Sequence, residues 1–162
     1  DASRMIGFEE DMRNRGFTPD SVVLESDIVT VTRVTADRML MQVGDELAFI
    51  KRLRLANGEP ISLEEVYLVH KYCPDVLEGH DYTDESLFDV LENDYDIRIE
   101  RAEQTISAMV APDPLQEQLE MSTNEALIFI ERISYSQIDL PVEFRRIYYR
   151  ADRYALQLAL KR

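Results

Sequence analysis

Two arginines that lie two residues apart, Arg52 and Arg54, are the side chains in this sequence best suited to bind an anion. They interrupt an apolar run that is typical of a strand, and alternate residues of a strand point to the same face of a sheet. A guanidinium group presents a planar fork of N–H donors that matches the oxygen atoms of a carboxylate or a phosphate. The spacing therefore predicts an anion-binding pair on one face of a sheet. The alternative is that one arginine faces solvent or pairs with one of the 32 acidic residues.

These arginines lie in a β-hairpin signal that spans residues 47–68, LAFIKRLRLANGEPISLEEVYL. Two runs of strand-forming residues flank Asn57-Gly58, a dipeptide that is typical of tight hairpin turns. The register decides which acidic residue joins the arginines, since a slip of one residue turns every side chain to the other face. A two-residue turn places Glu65 on the arginine face, whereas a three-residue loop places Glu64 there, opposite Arg52. Periodicity alone leaves both registers open.

A second copy of this hairpin lies near the C-terminus, at residues 126–150. Leu47, Phe49, Ile50 and Arg52 of the first copy match Leu127, Phe129, Ile130 and Arg132 of the second. Arg54, in contrast, is replaced by Ser134. Arg52 thus has a counterpart that could serve the fold, whereas Arg54 is peculiar to the first half and is the stronger ligand candidate. Two copies are too few for a solenoid and instead predict two equivalent units that complete one sheet.

Each half of the sequence reads as a strand, a short helix and a hairpin. The predicted strands cover residues 21–32, 46–56, 60–70, 97–111, 126–136 and 141–150, with a closing strand at 154–160, and the predicted helices cover 5–15, 36–42, 87–93 and 114–120. Strands dominate and do not alternate with helices, so the predicted class is α+β with a mainly antiparallel six-stranded sheet. Residues 71–93, the long connection between the halves, are expected to cover one face or edge of the sheet.

Composition narrows the classes of function. The 162 residues predict a single domain, 1–162, with room for a substantial core. A net charge of −14 repels phosphate backbones and anionic lipids, so the chain is not expected to bind DNA or a membrane by itself. The single cysteine, Cys73, excludes an intramolecular disulfide and, without an apolar leader, favours a reduced cytoplasmic setting. His70 and His80 are not spaced as a zinc pair, and no metal or cofactor site is predicted.

Three further side chains could contribute to a polar site. Ser86 begins a predicted helix, where it is an N-cap and, with the free backbone N–H groups, a possible part of an anion site. Glu143 and Tyr149 point to the same face of the last strand of the second hairpin. A carboxylate and a phenol in line could hydrogen-bond sugar hydroxyls or an amine. A solvated face with a half-buried tyrosine is the alternative.

Four stretches in this order resemble one family: GFEEDMRNRG near the start, FIKRLRLANGEPISLEEVYL, SLFDVLENDYDIRIERAEQTI and LPVEFRRIYYRADRY. From about Gly7 to the C-terminus they are similar to the UTRA effector-binding domain of GntR-type transcriptional repressors of the HutC branch. The resemblance implies a chorismate-lyase-like α+β fold, a homodimer, a small-molecule effector pocket and no enzymatic activity. It also implies a winged helix-turn-helix DNA-binding domain before residue 1. The start at Asp1, without a Met, agrees with a missing N-terminal part.

The resemblance implies how an anion would be held. In members that sense phosphosugars, the arginines of the R-x-R strand and the serine of the S-L-[YF] motif bind the phosphate. These correspond to Arg52, Arg54 and Ser86. Phe88 stands where those members often have a tyrosine, and so lacks one hydrogen bond to the phosphate.

The resemblance also implies which groups read the body of the effector. The matching glutamates are Glu64 and Glu143 and the matching tyrosine is Tyr149, which favours the register with Glu64 on the arginine face. The implied effector is a small anionic metabolite, a sugar phosphate or an amino-sugar phosphate, that allosterically controls DNA binding. The alternative is a chorismate-lyase-like enzyme that acts on a small aromatic carboxylate.

Overall fold

The structure, a computed structural model, describes residues 5–160. Within that range the strands are β1 (Pro19–Thr30), β2 (Glu46–Ala56), β3 (Glu59–Val69), β4 (Ile99–Val110), β5 (Ala126–Ser136) and β6 (Pro141–Arg150). The helices are α1 (Phe8–Asn14), α2 (Arg33–Met39), α3 (Leu87–Tyr95) and α4 (Asp113–Gln118), with a 3-10 turn at His70–Tyr72. The hairpin strands lie within one residue of the predicted positions, and the other elements differ at their ends by up to three residues.

All six strands form one antiparallel sheet in the order β1-β2-β3-β6-β5-β4. Each hairpin and the strand before it make one half, and the halves meet where β3 pairs with β6. From edge to centre, the strands run β1-β2-β3 in the first half and β4-β5-β6 in the second. The halves are therefore related by an approximate two-fold axis at the sheet centre. This arrangement confirms the predicted α+β class and the two-unit sheet.

The first hairpin combines a two-residue turn with a bulge. Asn57 and Gly58 both have positive φ angles, 51° and 78°, as a tight type I′ turn requires. Just below the turn Ile61 has no partner in the ladder, and this extra residue shifts the pairing so that Arg52 lies opposite Glu64. The turn is therefore that of the first predicted register, and the pairing is that of the second. The second hairpin carries a bulge at the same place.

The connection between the halves covers one end of the arginine face. Its buried side chains pack on the sheet in one cluster: Cys73, Val76, Tyr82, Leu87, Val90 and Leu91 contact Ala48, Ile50, Val66, Leu68 and Val142. Within α3 the buried residues are spaced three and four positions apart, as expected for a helix that packs one side on a sheet. The connection thus lies over a face rather than along an edge.

The other end of the same face is covered by α1 and by the chain that follows β6. Phe8 and Met12 of α1 pack with Ile147, Tyr149 and Tyr154. On the opposite face of the sheet, α2 and α4 each bury one side against a separate apolar cluster. The arginine face therefore has two covers with a space between them, while the other face is packed by two short helices.

The predicted closing strand at residues 154–160 is wrong. β6 is already paired on both sides, by β3 and β5, so the chain that follows it has no free edge beside it. A turn at residues 151–153 instead returns the chain over the arginine face. There Tyr154 stacks on Tyr149, with ring centroids 3.8 Å apart. The alternating pattern of this segment reflects an extended chain that buries Tyr154 and half-buries Leu156 without joining the ladder.

Candidate functional site

A cavity of about 890 Å³ lies on the arginine face between the two covers. Strands β2, β3, β5 and β6 form its floor, and α1, the start of α3 and the chain after β6 form its walls. Six of the seven predicted site residues line it: Arg52, Arg54, Glu64, Ser86, Phe88 and Tyr149. The seventh, Glu143, is fully buried beneath the floor. Residues from both halves of the sheet thus converge on one space.

Glu64 holds three arginines on the floor of the cavity. Its Oε1 accepts hydrogen bonds from Nε of Arg52 at 3.0 Å and from Nη2 of Arg54 at 3.2 Å. Its Oε2 accepts from Nη1 of Arg145 at 3.0 Å. Burial by itself raises the pKa of Glu64, but the charges of these arginines outweigh it and hold that pKa well below its usual value. The carboxylate is therefore ionised at neutral pH.

Glu65, the acidic residue of the other predicted register, lies on the opposite face. Its Oε2 accepts a hydrogen bond from the hydroxyl of Tyr67 at 3.3 Å. Successive residues of a strand point to opposite faces, so the two glutamates cannot share a site. The register with Glu64 on the arginine face is the one that the structure has.

Arg52 is fully engaged by the protein. Besides its bonds to Glu64, it donates from Nη1 to the backbone carbonyl of Tyr82 at 3.3 Å. Burial lowers the pKa of Arg52, and the nearby positive charges of Arg54 and Arg145 lower it further. This arginine fixes Glu64 and ties the connection between the halves to the sheet. The sequence repeat, in which Arg132 is the counterpart of Arg52, had suggested that Arg52 could serve the fold.

Arg54 has one partner, Glu9, that a ligand could replace. Its Nη1 donates to Oγ of Ser21 at 2.8 Å and to Oε1 of Glu9 at 3.0 Å. Its guanidinium carbon lies 4.9 Å from the centre of the Phe8 ring. The side chain of Glu9 is 38% exposed, in contrast to Arg54 at 4%. Because Glu9 is open to solvent, an incoming anion could take its place with little rearrangement.

Arg145 connects the two halves of the site. It donates to Glu64 on β3 and, from Nη2, to Oε2 of Glu143 at 2.7 Å. The other oxygen of Glu143 accepts from Oγ of Ser134 at 3.1 Å. Burial by itself lowers the pKa of Arg145, but the two carboxylates outweigh it and raise that pKa. Its guanidinium carbon also lies 5.4 Å from the centre of the Phe88 ring.

Arg132, in the second half, is much less engaged. Its Nε donates to Oε1 of Gln104 on the edge strand β4 at 3.1 Å. Within residues 5–160, no carboxylate pairs with this arginine and no acceptor is found for its terminal amino groups. Burial lowers the pKa of Arg132, and the charge of Arg145 lowers it further. Arg132 therefore presents a cation to the cavity without a neutralising partner in the described chain.

The remaining predicted side chains form the walls. Ser86 caps α3, and its Oγ accepts a long hydrogen bond of 3.4 Å from the backbone N–H of Asp89. Phe88 is the second residue of α3, and its ring lines the cavity. Burial raises the pKa of the Tyr149 hydroxyl, and neighbouring Tyr154 raises it further, so this phenol stays protonated and can act as a hydrogen-bond donor.

The cavity is positively charged in an acidic protein. Three buried guanidinium groups, on Arg52, Arg54 and Arg145, and the half-buried one of Arg132 face the two buried glutamates and the half-exposed Glu9. Positive charges therefore outnumber negative ones at the floor, although the whole chain carries −14. This surplus of positive charge is expected to attract an anion that provides the missing charge.

Two of these arginines were missed as site residues from the sequence. Arg145 was not singled out, and Arg132 was interpreted only as the counterpart of Arg52 in the repeat. Both lie on predicted strands at positions that face the same way as Glu143. The signal was present in the alternation, but only the pairing of β3 with β6 shows that both halves share one cavity.

No group of three or more metal-binding side chains occurs among residues 5–160. In the same part of the chain, no helix is both long and apolar enough to cross a membrane.

Comparison with known proteins identifies the fold and the family. The structure matches the effector domain of PhnF from Mycobacterium smegmatis with a TM-score of 0.90 and 22% identity, over 96% of this chain and 95% of that one. It also matches a GntR-family transcriptional regulator from Enterococcus faecalis V583 with a TM-score of 0.77 and 22% identity, over 86% of this chain and 99% of that one. These similarities confirm the predicted fold.

The sequence is also similar to a bacterial repressor. It is 27% identical over 150 residues to the HTH-type transcriptional repressor NagR of Bacillus subtilis. The aligned region covers 93% of this chain and 61% of that protein. The chain thus spans about three fifths of the length of the curated relatives that it matches first. These relatives are transcription regulators, which agrees with the regulatory role expected for this chain.

The family model for the UTRA domain matches residues 14–155. That range contains both hairpins, the connection between them and every predicted site residue. The chain belongs to the UTRA domain family.

Proposed function

We propose that this domain is the ligand sensor of a bacterial transcription regulator and that its ligand is a small anionic metabolite. The observation that carries the proposal is the concentration of four arginines, Arg52, Arg54, Arg132 and Arg145, on the floor of one cavity in a chain of net charge −14. Family membership supports the sensing role, and the excess of positive charge on the cavity floor supports the anionic character of the ligand. A sugar phosphate or an amino-sugar phosphate meets both requirements.

The phosphate is proposed to bind at Arg54 and Ser86, with Arg52 holding the adjacent Glu64 in place. Arg54 gains a phosphate oxygen in exchange for Glu9, the half-exposed partner of its present ion pair. Ser86 and the first backbone N–H groups of α3, a nine-residue helix, add hydrogen-bond donors and the positive end of the helix dipole. Arginine is suited to this exchange because its fork matches phosphate oxygens as well as it matches a carboxylate.

The body of the ligand is proposed to lie over the floor of the cavity. Glu64 and the phenol of Tyr149 supply an acceptor and a donor for hydroxyl or amino groups, and the ring of Phe88 supplies an apolar wall. Glu143 acts through Arg145, whose guanidinium it orients from below. The phenylalanine at position 88 offers no hydroxyl to the phosphate, so the hydrogen bonds to phosphate rest on Arg54, Ser86 and backbone N–H groups.

The whole protein is proposed to be a homodimeric cytoplasmic repressor with a winged helix-turn-helix domain before residue 1. The acidic surface of this domain leaves DNA binding to that other part. Because α1 forms a wall of the cavity and Glu9 of α1 pairs with Arg54, binding of an anion changes the contacts of the segment that leads to the DNA-binding part. A coupling free energy of about 1–3 kcal/mol between the two sites is typical of allosteric proteins.

A thermal-shift screen of the 162-residue chain against sugar phosphates, amino-sugar phosphates and small carboxylates tests the ligand class. We expect a phosphorylated sugar to raise the melting temperature of the wild-type chain, and Arg54→Gln to abolish the shift. Lys51→Gln removes one positive charge from the neighbouring position on the other face of β2 and serves as a matched control that retains the shift. If the stabilising ligand is uncharged, or if Arg54→Gln binds it equally well, the proposed site is wrong.

A further inference from the structure

The approximate two-fold symmetry of the sheet shows that the two halves of the cavity floor differ in one charge. In the first half, Arg52 of β2 lies directly opposite Glu64 of β3. In the second half, the equivalent Arg132 of β5 lies directly opposite Arg145 of β6. The carboxylate that neutralises an arginine in one half is thus replaced by a second cation in the other. Like charges directly opposite each other in a ladder are unfavourable.

Arg145 is neutralised by carboxylates, whereas Arg132 has no carboxylate partner among the described residues. Arg145 reaches diagonally across β3 and β6 to Glu64 and binds Glu143 on its own strand. Both buried glutamates of the floor are then occupied. Arg132 is left with one neutral partner, the amide oxygen of Gln104. The described chain supplies no carboxylate to Arg132, although this side chain lines the cavity.

The geometry of the remaining donors indicates what could bind there. The Nε of Arg132 is used by Gln104, which leaves the two terminal amino groups at the end of the fork. Two parallel N–H···O bonds from such a pair match the two oxygens of a carboxylate. Gln104 also lines the cavity, and its amide nitrogen, the part not used by Arg132, is a further donor at the same place.

The position of Arg132 separates it from the proposed phosphate site. Strands β2 and β5 have β3 and β6 between them, and a strand spacing of about 4.8 Å places these two strands about 14 Å apart. Arg132 also lies two residues along the strands from the row of Arg52, which ends at Ile130 on β5. Arg54 lies two residues further along β2, away from the row that contains Arg132. A ligand that reaches both places therefore carries two separate anionic groups.

We propose that Arg132 binds a carboxylate of the effector, and that the effector is a phosphorylated polyhydroxy acid with its two anionic groups at opposite ends. This inference rests on the proposed function, because it takes the phosphate at Arg54 and Ser86 as the first pole. The carboxylate supplies to Arg132 the charge that Glu64 supplies to Arg52. The ligand thereby completes the symmetry of the floor.

Matched pairs of ligands test the carboxylate site at Arg132 separately from the phosphate site at Arg54 and Ser86. Isothermal titration calorimetry of the 162-residue chain compares 3-phosphoglycerate with glycerol 3-phosphate, 4-phosphoerythronate with erythritol 4-phosphate, and 6-phosphogluconate with sorbitol 6-phosphate. Each pair differs in one carboxylate, and the series varies the distance between the anionic groups. We expect at least one acid to bind tenfold or more tightly than its polyol partner, and Arg132→Gln to remove that preference while it leaves polyol binding unchanged.

Two further variants exclude a general effect of charge or folding. Arg132→Lys keeps the charge without the fork and is expected to restore part of the preference. Arg146→Gln removes a cation on the opposite face of β6, where its Nε donates to Glu131 at 3.2 Å, and is expected to leave the preference intact. The melting temperature of each variant without ligand shows that it is folded.

The outcomes separate the two proposals. If polyol phosphates bind through Arg54 but the acids bind no more tightly, or if Arg132→Gln weakens both members of a pair equally, the carboxylate site is wrong and the phosphate site stands. If none of the six compounds binds to the wild-type chain, the phosphate site fails and the second pole fails with it.

Discussion

Arg132 and Arg145 face each other across the ladder between β5 and β6, whereas at the equivalent place in the other half Arg52 faces Glu64. One half of the cavity floor is therefore neutralised by the protein itself, and the other half is not. Arg132 is half-buried and lies opposite a second cation, and an anionic ligand is a partner that would offset this unfavourable opposition.

The unequal charge of the two halves predicts opposite effects of the same substitution. Arg132→Met removes the like-charge opposition and keeps an aliphatic side chain, so we expect the free energy of unfolding to rise by up to about 1 kcal/mol. Arg52→Met breaks a buried ion pair and is expected to lower it by about 3 kcal/mol. Urea denaturation of the ligand-free chain measures both. A loss of stability in Arg132→Met would show that Arg132 has a structural partner after all.

Glu64 is predicted to be the main electrostatic support of the floor. Glu64→Gln leaves Arg52, Arg54 and Arg145 without their shared carboxylate, so we expect a loss of about 3–5 kcal/mol in the free energy of unfolding. Glu65→Gln, one residue away on the opposite face, is the matched control and is expected to cost less than about 1 kcal/mol. Equal losses in the two variants would contradict the central position of Glu64.

The depressed pKa of Glu64 predicts an acid-side pH dependence. The folded-state pKa lies below that of the unfolded chain, about 4.3 for glutamate. The contribution of Glu64 is then complete above that value and is lost as the pH falls toward the folded-state pKa. The difference in unfolding free energy between wild type and Glu64→Gln is expected to stay constant from pH 7 to about 5 and to shrink below about 4.3. Urea titrations at pH 3 to 7 measure it, and a decline already above pH 5 contradicts this account.

The exchange at Arg54 predicts that a stabilising ion pair opposes ligand binding. Glu9→Gln removes the carboxylate that now occupies Arg54, at a cost of less than about 1 kcal/mol because the side chain is partly exposed. We expect affinity for glycerol 3-phosphate or sorbitol 6-phosphate to increase several-fold in calorimetry. Glu10→Gln, which removes the neighbouring charge of the same helix, is the control. Unchanged or weaker binding in Glu9→Gln would mean that the anion does not replace Glu9.

Much of the fold was readable from the sequence, because the signals concerned are local. The Asn57-Gly58 turn, the alternation of the strands and the repeat between the hairpins each depend on neighbours along the chain. The resemblance to the UTRA family then supplied a register in which Glu64 joins the arginines. The bulge at Ile61 was not expected, because the extra residue can be placed either in the turn or in the strand by pattern alone.

The predicted closing strand shows the limit of local patterns. Residues 154–160 alternate as a strand does, but whether such a segment joins a sheet depends on a free edge beside it. That edge is absent because β6 ends in the middle of the sheet. The segment therefore covers the cavity, and Tyr154 packs on Tyr149 instead of pairing with a strand.

The sequence by itself determined that Arg52 and Arg54 share a face and that Arg132 repeats Arg52. Only the tertiary structure decided what those arginines meet. β3 and β6 are joined by no turn, so their register is set by packing of the whole sheet, and that register carries Arg145 to Glu64. Arg132 is left facing a cation for the same reason: ion pairs across non-adjacent segments depend on contacts that no local pattern encodes.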